Sequence, residues 1–130
     1  MPERAIVFVD VTDSMVLFDR VGQDDAVKAM VSFQQELRSR SETMNGRVVK
    51  TLGDGALLSF DTADDAVRFC LQVVHEARDG SDSGMGVRAG LCVGDVREVE
   101  GDVWGDPVNV AARLLDLGTA NQVLTTQRST

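Results

Sequence analysis

Six polar residues are of types that could perform chemistry: Asp10, Lys50, Asp54, Asp102, Asn109 and Arg113. The carboxylates of Asp10 and Asp54 offer hard oxygen ligands of the kind that suit Mg²⁺ or Mn²⁺. Two such ions bridged by two aspartates would stabilise both attack and departure at phosphorus. Asn109 and Arg113 are four residues apart, so on a helix they share one face. A guanidinium suits phosphate oxygens, and an amide can hydrogen-bond an ether oxygen. Lys50 and Asp102 form a donor and acceptor set that complements the N1 acceptor and N6 donor of adenine and opposes the guanine pattern, provided that the two side chains meet. Four of the six also have a plainer explanation. Asp10 can cap a turn, Asp54 can serve a hairpin, and Asn109 and Arg113 can sit on a solvated helix face.

The elements that must position these groups follow from apolar spacing. Ala5-Ile6-Val7-Phe8-Val9 is a continuous apolar run and reads as a central strand covered on both faces, with Asp10 at its C-terminal end. Residues 24–40 place Ala26, Val27, Met30, Val31, Phe33 and Leu37 at helical spacing. Arg47–Leu52 and Ala56–Phe60 read as strands joined by Gly53-Asp54-Gly55, a strong hairpin signal. Asp61–Asp65 can cap a second helix with the stripe Ala66, Val67, Phe69, Cys70, Val73, Val74 and Ala77. Gly80–Gly86 reads as a loop, Val87–Val93 as a strand and Gly94–Val103 as a loop or edge hairpin. Asp106-Pro107 reads as N-cap and first helical residue of a helix that runs through Asn109 and Arg113 until Gly118 stops it. Gln122–Thr126 reads as a last strand. The order β-α-β-β-α-β, then helix and strand, predicts an α+β fold: a ferredoxin-like sandwich, its antiparallel sheet carrying helices on one face. In that topology the strands bearing Asp10 and Asp54 are neighbours.

Composition narrows the function classes. A chain of 130 residues is enough for one domain with one core. With 21 acidic against 13 basic residues and a net charge of −8, the chain repels nucleic acid backbones and lacks the basic clusters that hold proteins on anionic membranes. No apolar run approaches the ~20 residues of a membrane span. Cys70 and Cys92 form no C-x-x-C pair and read as buried reduced thiols. Together with a start that leads from Met1 directly into a strand without a signal peptide, this gives the expectation of a cytoplasmic location. His75, the single histidine, reads as structural or solvated.

The chain resembles the catalytic domain of class III nucleotidyl cyclases, in its adenylate-specific form. The segments that carry the resemblance are Phe8-Val9-Asp10-Val11, Val49-Lys50-Thr51-Leu52-Gly53-Asp54-Gly55, and the run Asp102 to Leu114 with its pattern D-x-W-G-x-x-V-N-x-A-x-R. It covers nearly the whole chain, as a single domain over 1–130. The resemblance implies that Asp10, Asp54 and the carbonyl of Val11 are ligands of two Mg²⁺ or Mn²⁺ ions. It implies that Lys50 and Asp102 select the base, and that Asn109 and Arg113 stabilise the transition state. It further implies that ATP is converted to cyclic AMP and pyrophosphate at two equivalent sites of a head-to-tail homodimer, each site drawing its metal aspartates from one chain and its base and transition-state pairs from the other.

Two features depart from the family pattern. Asp13 stands where the family usually has glycine, in a loop expected to cradle the triphosphate, and its charge should repel phosphate unless the side chain turns away or binds metal. Family members usually continue past the final strand with another hairpin, which often carries a lysine for the triphosphate. The chain is therefore expected to be a C-terminally short domain with no residue in that role.

Overall fold

The computed structural model describes residues 3–12, 19–79 and 86–126. Asp13 and most of the loop read over Gly80–Gly86 lie outside the described residues. The elements run β1 (Glu3–Thr12), α1 (Gln23–Thr43), β2 (Gly46–Leu52), β3 (Gly55–Phe60), α2 (Ala63–Asp79), β4 (Gly86–Asp95), β5 (Arg97–Val99), β6 (Asp102–Trp104), α3 (Asp106–Leu117) and β7 (Val123–Thr125).

Five strands form one sheet in the order β2-β3-β1-β4-β7, which is the ferredoxin-like arrangement extended by β7. The added strand pairs parallel to β4, with Ala89 opposite Val123, so the sheet is mixed rather than wholly antiparallel. The central β1 is buried on both sides, as its unbroken apolar run requires.

Alternation along the strands divides the apolar residues into two cores. Ala5, Val7 and Val9 join Leu58, Phe60, Val87, Ala89 and Leu91 beneath α1 and α2. Phe60 and Phe69 meet there with ring centroids 4.9 Å apart. Ile6, Leu57 and Cys92 face the other way, onto Val96, Val103 and Ala111. Helix α3 therefore packs on the sheet face opposite α1 and α2, which corrects the expectation of helices on one face for the added helix. Periodicity shows that a helix has an apolar stripe but not which side of a sheet receives it.

Local signals explain most boundaries. The Thr62 hydroxyl accepts the Asp65 backbone N–H at 3.2 Å, so Thr62 caps α2. Helix α3 begins one residue earlier than expected: Gly105 is the N-cap and Asp106 the first helical residue, followed by Pro107. Helix α1 buries Ala26, Leu37 and Ser41, while Val27 and Val31 are exposed. Each of these valines follows the sheet-facing row by about 100° of helical rotation. Residues 97–104 form a two-stranded ribbon, turned by Glu100 and Gly101, both at positive φ. No helix among the described residues is long and apolar enough to cross a membrane.

Candidate active site

The two candidate metal aspartates come together. Asp10 lies directly opposite Gly55 in the β1–β3 ladder, so Asp54 in the adjoining turn shares its end of the sheet. The backbone of this turn favours glycine at both positions. Gly53 sits at φ +58, where a side chain is strained. A Cβ on Gly55 would fall on the Val9 carbonyl oxygen and the Asp10 Cβ. Val11, whose carbonyl is the expected third ligand, is buried beside Asp10 and opposite Val87.

Asp10 already has a partner that the sequence reading did not include. Arg88 on β4 lies opposite Asp10 and donates to both carboxylate oxygens, Nε to Oδ1 at 2.8 Å and Nη2 to Oδ2 at 3.2 Å. Its Nη1 donates to the Gly118 carbonyl at 3.3 Å, tying the carboxylate to the C-terminal end of α3. The hydrogen bond with Asp10 raises the Arg88 pKa above its ordinary value. Partial burial opposes this, and the charges of Asp10, Asp116 and Asp54 add to it. The available signal was a charged residue inside the apolar run Val87–Val93, a place that charge seldom occupies unpaired.

The candidate base-reading pair also meets. Lys50 Nζ donates to Asp102 Oδ2 at 3.0 Å across 52 residues of sequence. Asp102 Oδ1 accepts the backbone N–H of Val103 at 2.8 Å. The Lys50 hydrogen bond, then that of Val103, holds the Asp102 carboxyl below its ordinary pKa. The strand that carries Lys50 is bulged between Val48 and Lys50. Lys50 and Asp102 border an open cleft of about 270 Å³ with Phe8, Leu57, Val108 and Asn109. That volume is just under the roughly 300–1,000 Å³ typical of small-molecule pockets.

Asn109 lies in the first turn of α3 and Arg113 one turn later, and both are exposed. Ala111, which packs on the sheet, is about 200° around the helix from Asn109. Asn109 borders the Lys50–Asp102 cleft, whereas the Asp10–Arg88 pair abuts Gly118 at the far end. These two points on α3 are nine residues apart, about 14 Å. One chain thus brings five of its six candidate residues into two groups, the carboxylates toward one end of α3 and the base-reading pair with Asn109 at the other, with Arg113 exposed on the helix between them. Exposed Trp104 and Leu52 stand beside the second group.

The donor set fits a hard divalent cation. Among the described residues no group of three or more His, Cys, Asp or Glu is gathered closely enough to hold a metal ion by itself. Mg²⁺ is commonly held by one or two carboxylates with substrate phosphates completing its shell. Asp10, Asp54 and a backbone carbonyl match that chemistry once Arg88 yields the Asp10 oxygens.

Comparison with known proteins agrees with this fold. The sequence matches the adenylate and guanylate cyclase catalytic domain over residues 1–130. An adenylate cyclase of Streptomyces coelicolor is 30% identical over 120 residues, covering 92% of this chain and 31% of that protein. An adenylate cyclase of Streptomyces griseus is 29% identical, covering 90% and 29%. The crystal structure of an adenylate/guanylate cyclase/hydrolase from Silicibacter pomeroyi superposes with a TM-score of 0.82 at 29% identity, covering 96% of this chain and 76% of that one. The fold is that of a nucleotide cyclase domain. The chain belongs to the adenylate and guanylate cyclase catalytic domain family. It spans about a third of the length of the curated relatives it matches.

Proposed function

We propose that this domain is an adenylate cyclase, which converts ATP to 3′,5′-cyclic AMP and pyrophosphate at sites shared by two chains in a head-to-tail homodimer. The observation that carries the reading is the Lys50–Asp102 contact at the mouth of a cleft that also holds Asn109. Lysine as donor and aspartate as acceptor match the adenine edge. Guanine, with its opposite pattern, would set donor against donor and acceptor against acceptor, a mismatch that discriminates against it. The second support is the division of candidate residues along α3. Asn109 and Arg113 turn away from their own sheet, so carboxylates brought by a second copy would complete the site. A closed two-fold pair makes two such sites at once.

In this reading Asp10, Asp54 and the Val11 carbonyl hold Mg²⁺ or Mn²⁺. The bound ions supply charge neutralisation of the triphosphate and a lowered pKa for the ribose 3′-hydroxyl. The 3′-oxygen gives up its proton to solvent and bonds to the α-phosphorus. The bond from that phosphorus to the α,β-bridging oxygen breaks, and pyrophosphate carries away the electron pair. Asn109 orients the ribose through its ring oxygen. Arg113 meets the charge that develops on the pentavalent phosphorus, so Arg113→Ala should lower turnover roughly 10²-fold, as for a lost oxyanion donor.

A second reading is favoured by Arg88, which covers both oxygens of Asp10: a nucleotide-binding dimerisation module with little turnover. One assay separates the two. Purified protein with Mn²⁺ is offered ATP, GTP, CTP and UTP in turn. Cyclic AMP as the dominant product supports the cyclase. Cyclic GMP as the dominant product sinks the base assignment, and no product at high protein concentration leaves the module. Mixing Asp54→Ala with Arg113→Ala chains should restore one good site per heterodimer. A mixture no more active than its components would refute shared sites.

A further inference from the structure

We propose that Gln34 is a positioning residue for Asp54, clamping the β2–β3 turn from helix α1. This inference rests on the reading of Asp54 as a metal ligand. The Gln34 amide nitrogen donates to the carbonyl of Gly53 at 3.3 Å and to that of Gly55 at 3.1 Å. These carbonyls belong to the two residues that flank Asp54, so one side chain grips the turn on both sides of the carboxylate. Among the described residues no other side chain hydrogen-bonds to this turn. The clamp has work to do, because a Gly-Asp-Gly turn has little intrinsic stiffness. Helix α1 is a firm base for it: Phe33 and Leu37 beside Gln34 pack into the core under the sheet.

The orientation of the amide is fixed by the turn and by nothing opposite. Gln34 Oε1 is buried without a hydrogen-bond partner. Rotating the amide would pair that oxygen with no donor and aim it at two carbonyls. A buried orphan acceptor is unfavourable and offsets much of what the two donations contribute to folding. The residue therefore contributes little to overall stability while holding one loop in place. Its effect should be read at the carboxylate and not in the melting curve.

The test uses Mn²⁺ alone, titrated into the full chain and followed by electron paramagnetic resonance, with Gln34→Met as a donor-free chain of similar length and Gln34→Leu as a second variant. Mn²⁺ affinity should fall roughly tenfold, the scale for losing a group that orients a ligand. The unfolding temperature should stay near that of the wild type. The amides of Asp54 and Gly55 should exchange faster with deuterium. Wild-type Mn²⁺ affinity in both Gln34 variants, with Asp54→Ala losing it, would overturn the inference alone. Unchanged affinity in Asp54→Ala would remove the metal reading and this inference with it. A fall in unfolding temperature proportionate to the lost affinity would make Gln34 a general stabiliser and also overturn the proposal.

Discussion

Replacing Arg88 by methionine tests whether the Asp10 carboxylate depends on its guanidinium. The two side chains are each 23% exposed and meet through two charge-assisted hydrogen bonds of 2.8 and 3.2 Å. A hydrogen bond to a charged group contributes about 1.5–3 kcal/mol, and breaking a fully buried pair costs about 3–5 kcal/mol. A pair still touched by water belongs at the lower end, so the expected loss is about 2 kcal/mol. For 130 residues at about 2.1 cal/mol/K each, the unfolding entropy is about 0.27 kcal/mol/K, and the melting temperature should drop by about 7 °C. Circular dichroism melts of wild type, Arg88→Met, Asp10→Asn and the double variant complete a thermodynamic cycle. The double variant should lose much less than the sum of the singles. Strictly additive losses, or an Arg88→Met chain as stable as wild type, would refute the reasoning.

Other outcomes follow from the site and the core. The Asp102 carboxyl should titrate below its ordinary value of 3.8, because Lys50 favours the charged form. Stability from this contact is complete above that value and is lost as pH falls through the lower native one. Carbon-detected NMR of Lys50→Met should show the midpoint moving upward, and an unmoved midpoint would contradict the cause assigned. Burial pushes the Cys70 thiol up to about 12, so iodoacetamide at pH 8 should leave Cys70 unmodified in the native chain and label it after denaturation. Rapid native labelling, mapped by mass spectrometry, would count against this packing. Phe60→Ala removes a fully buried ring tilted against Phe69 and should cost about 3–5 kcal/mol in denaturant titration. A loss below about 1 kcal/mol would show that this core can collapse around the gap.

Local chemistry in the sequence was most informative where one short segment determines geometry. Gly53-Asp54-Gly55 is a turn on its own account, and the apolar run ending in Asp10 places a carboxylate at a strand end. Their proximity then follows from the neighbouring strands. The Lys50–Asp102 contact was not derivable in this way. It depends on a β-bulge in β2 and on a ribbon tucked over the sheet by Val96 and Val103. Neither leaves a periodic trace. Arg88 was passed over because the strand around it is apolar, and its partner lies 78 residues earlier. Gln34 sits in a helical pattern whose apolar residues drew the reading, and its target is backbone, which carries no residue-specific signal. Val27 and Val31 looked like core because an apolar residue at a boundary angle satisfies the same spacing whether or not a neighbour covers it.

Under the proposed metal reading, the bond between Arg88 and Asp10 also bears on how the domain fares without divalent ions. Many small metalloproteins unravel when chelated, since their ligand cluster has no other source of positive charge. Here the strand end carries a tethered organic cation of its own. Stripping the solution of divalent ions should therefore leave the sheet intact, with far-ultraviolet circular dichroism unchanged by EDTA, and the architecture stays assembled through an interval in which such ions are lacking.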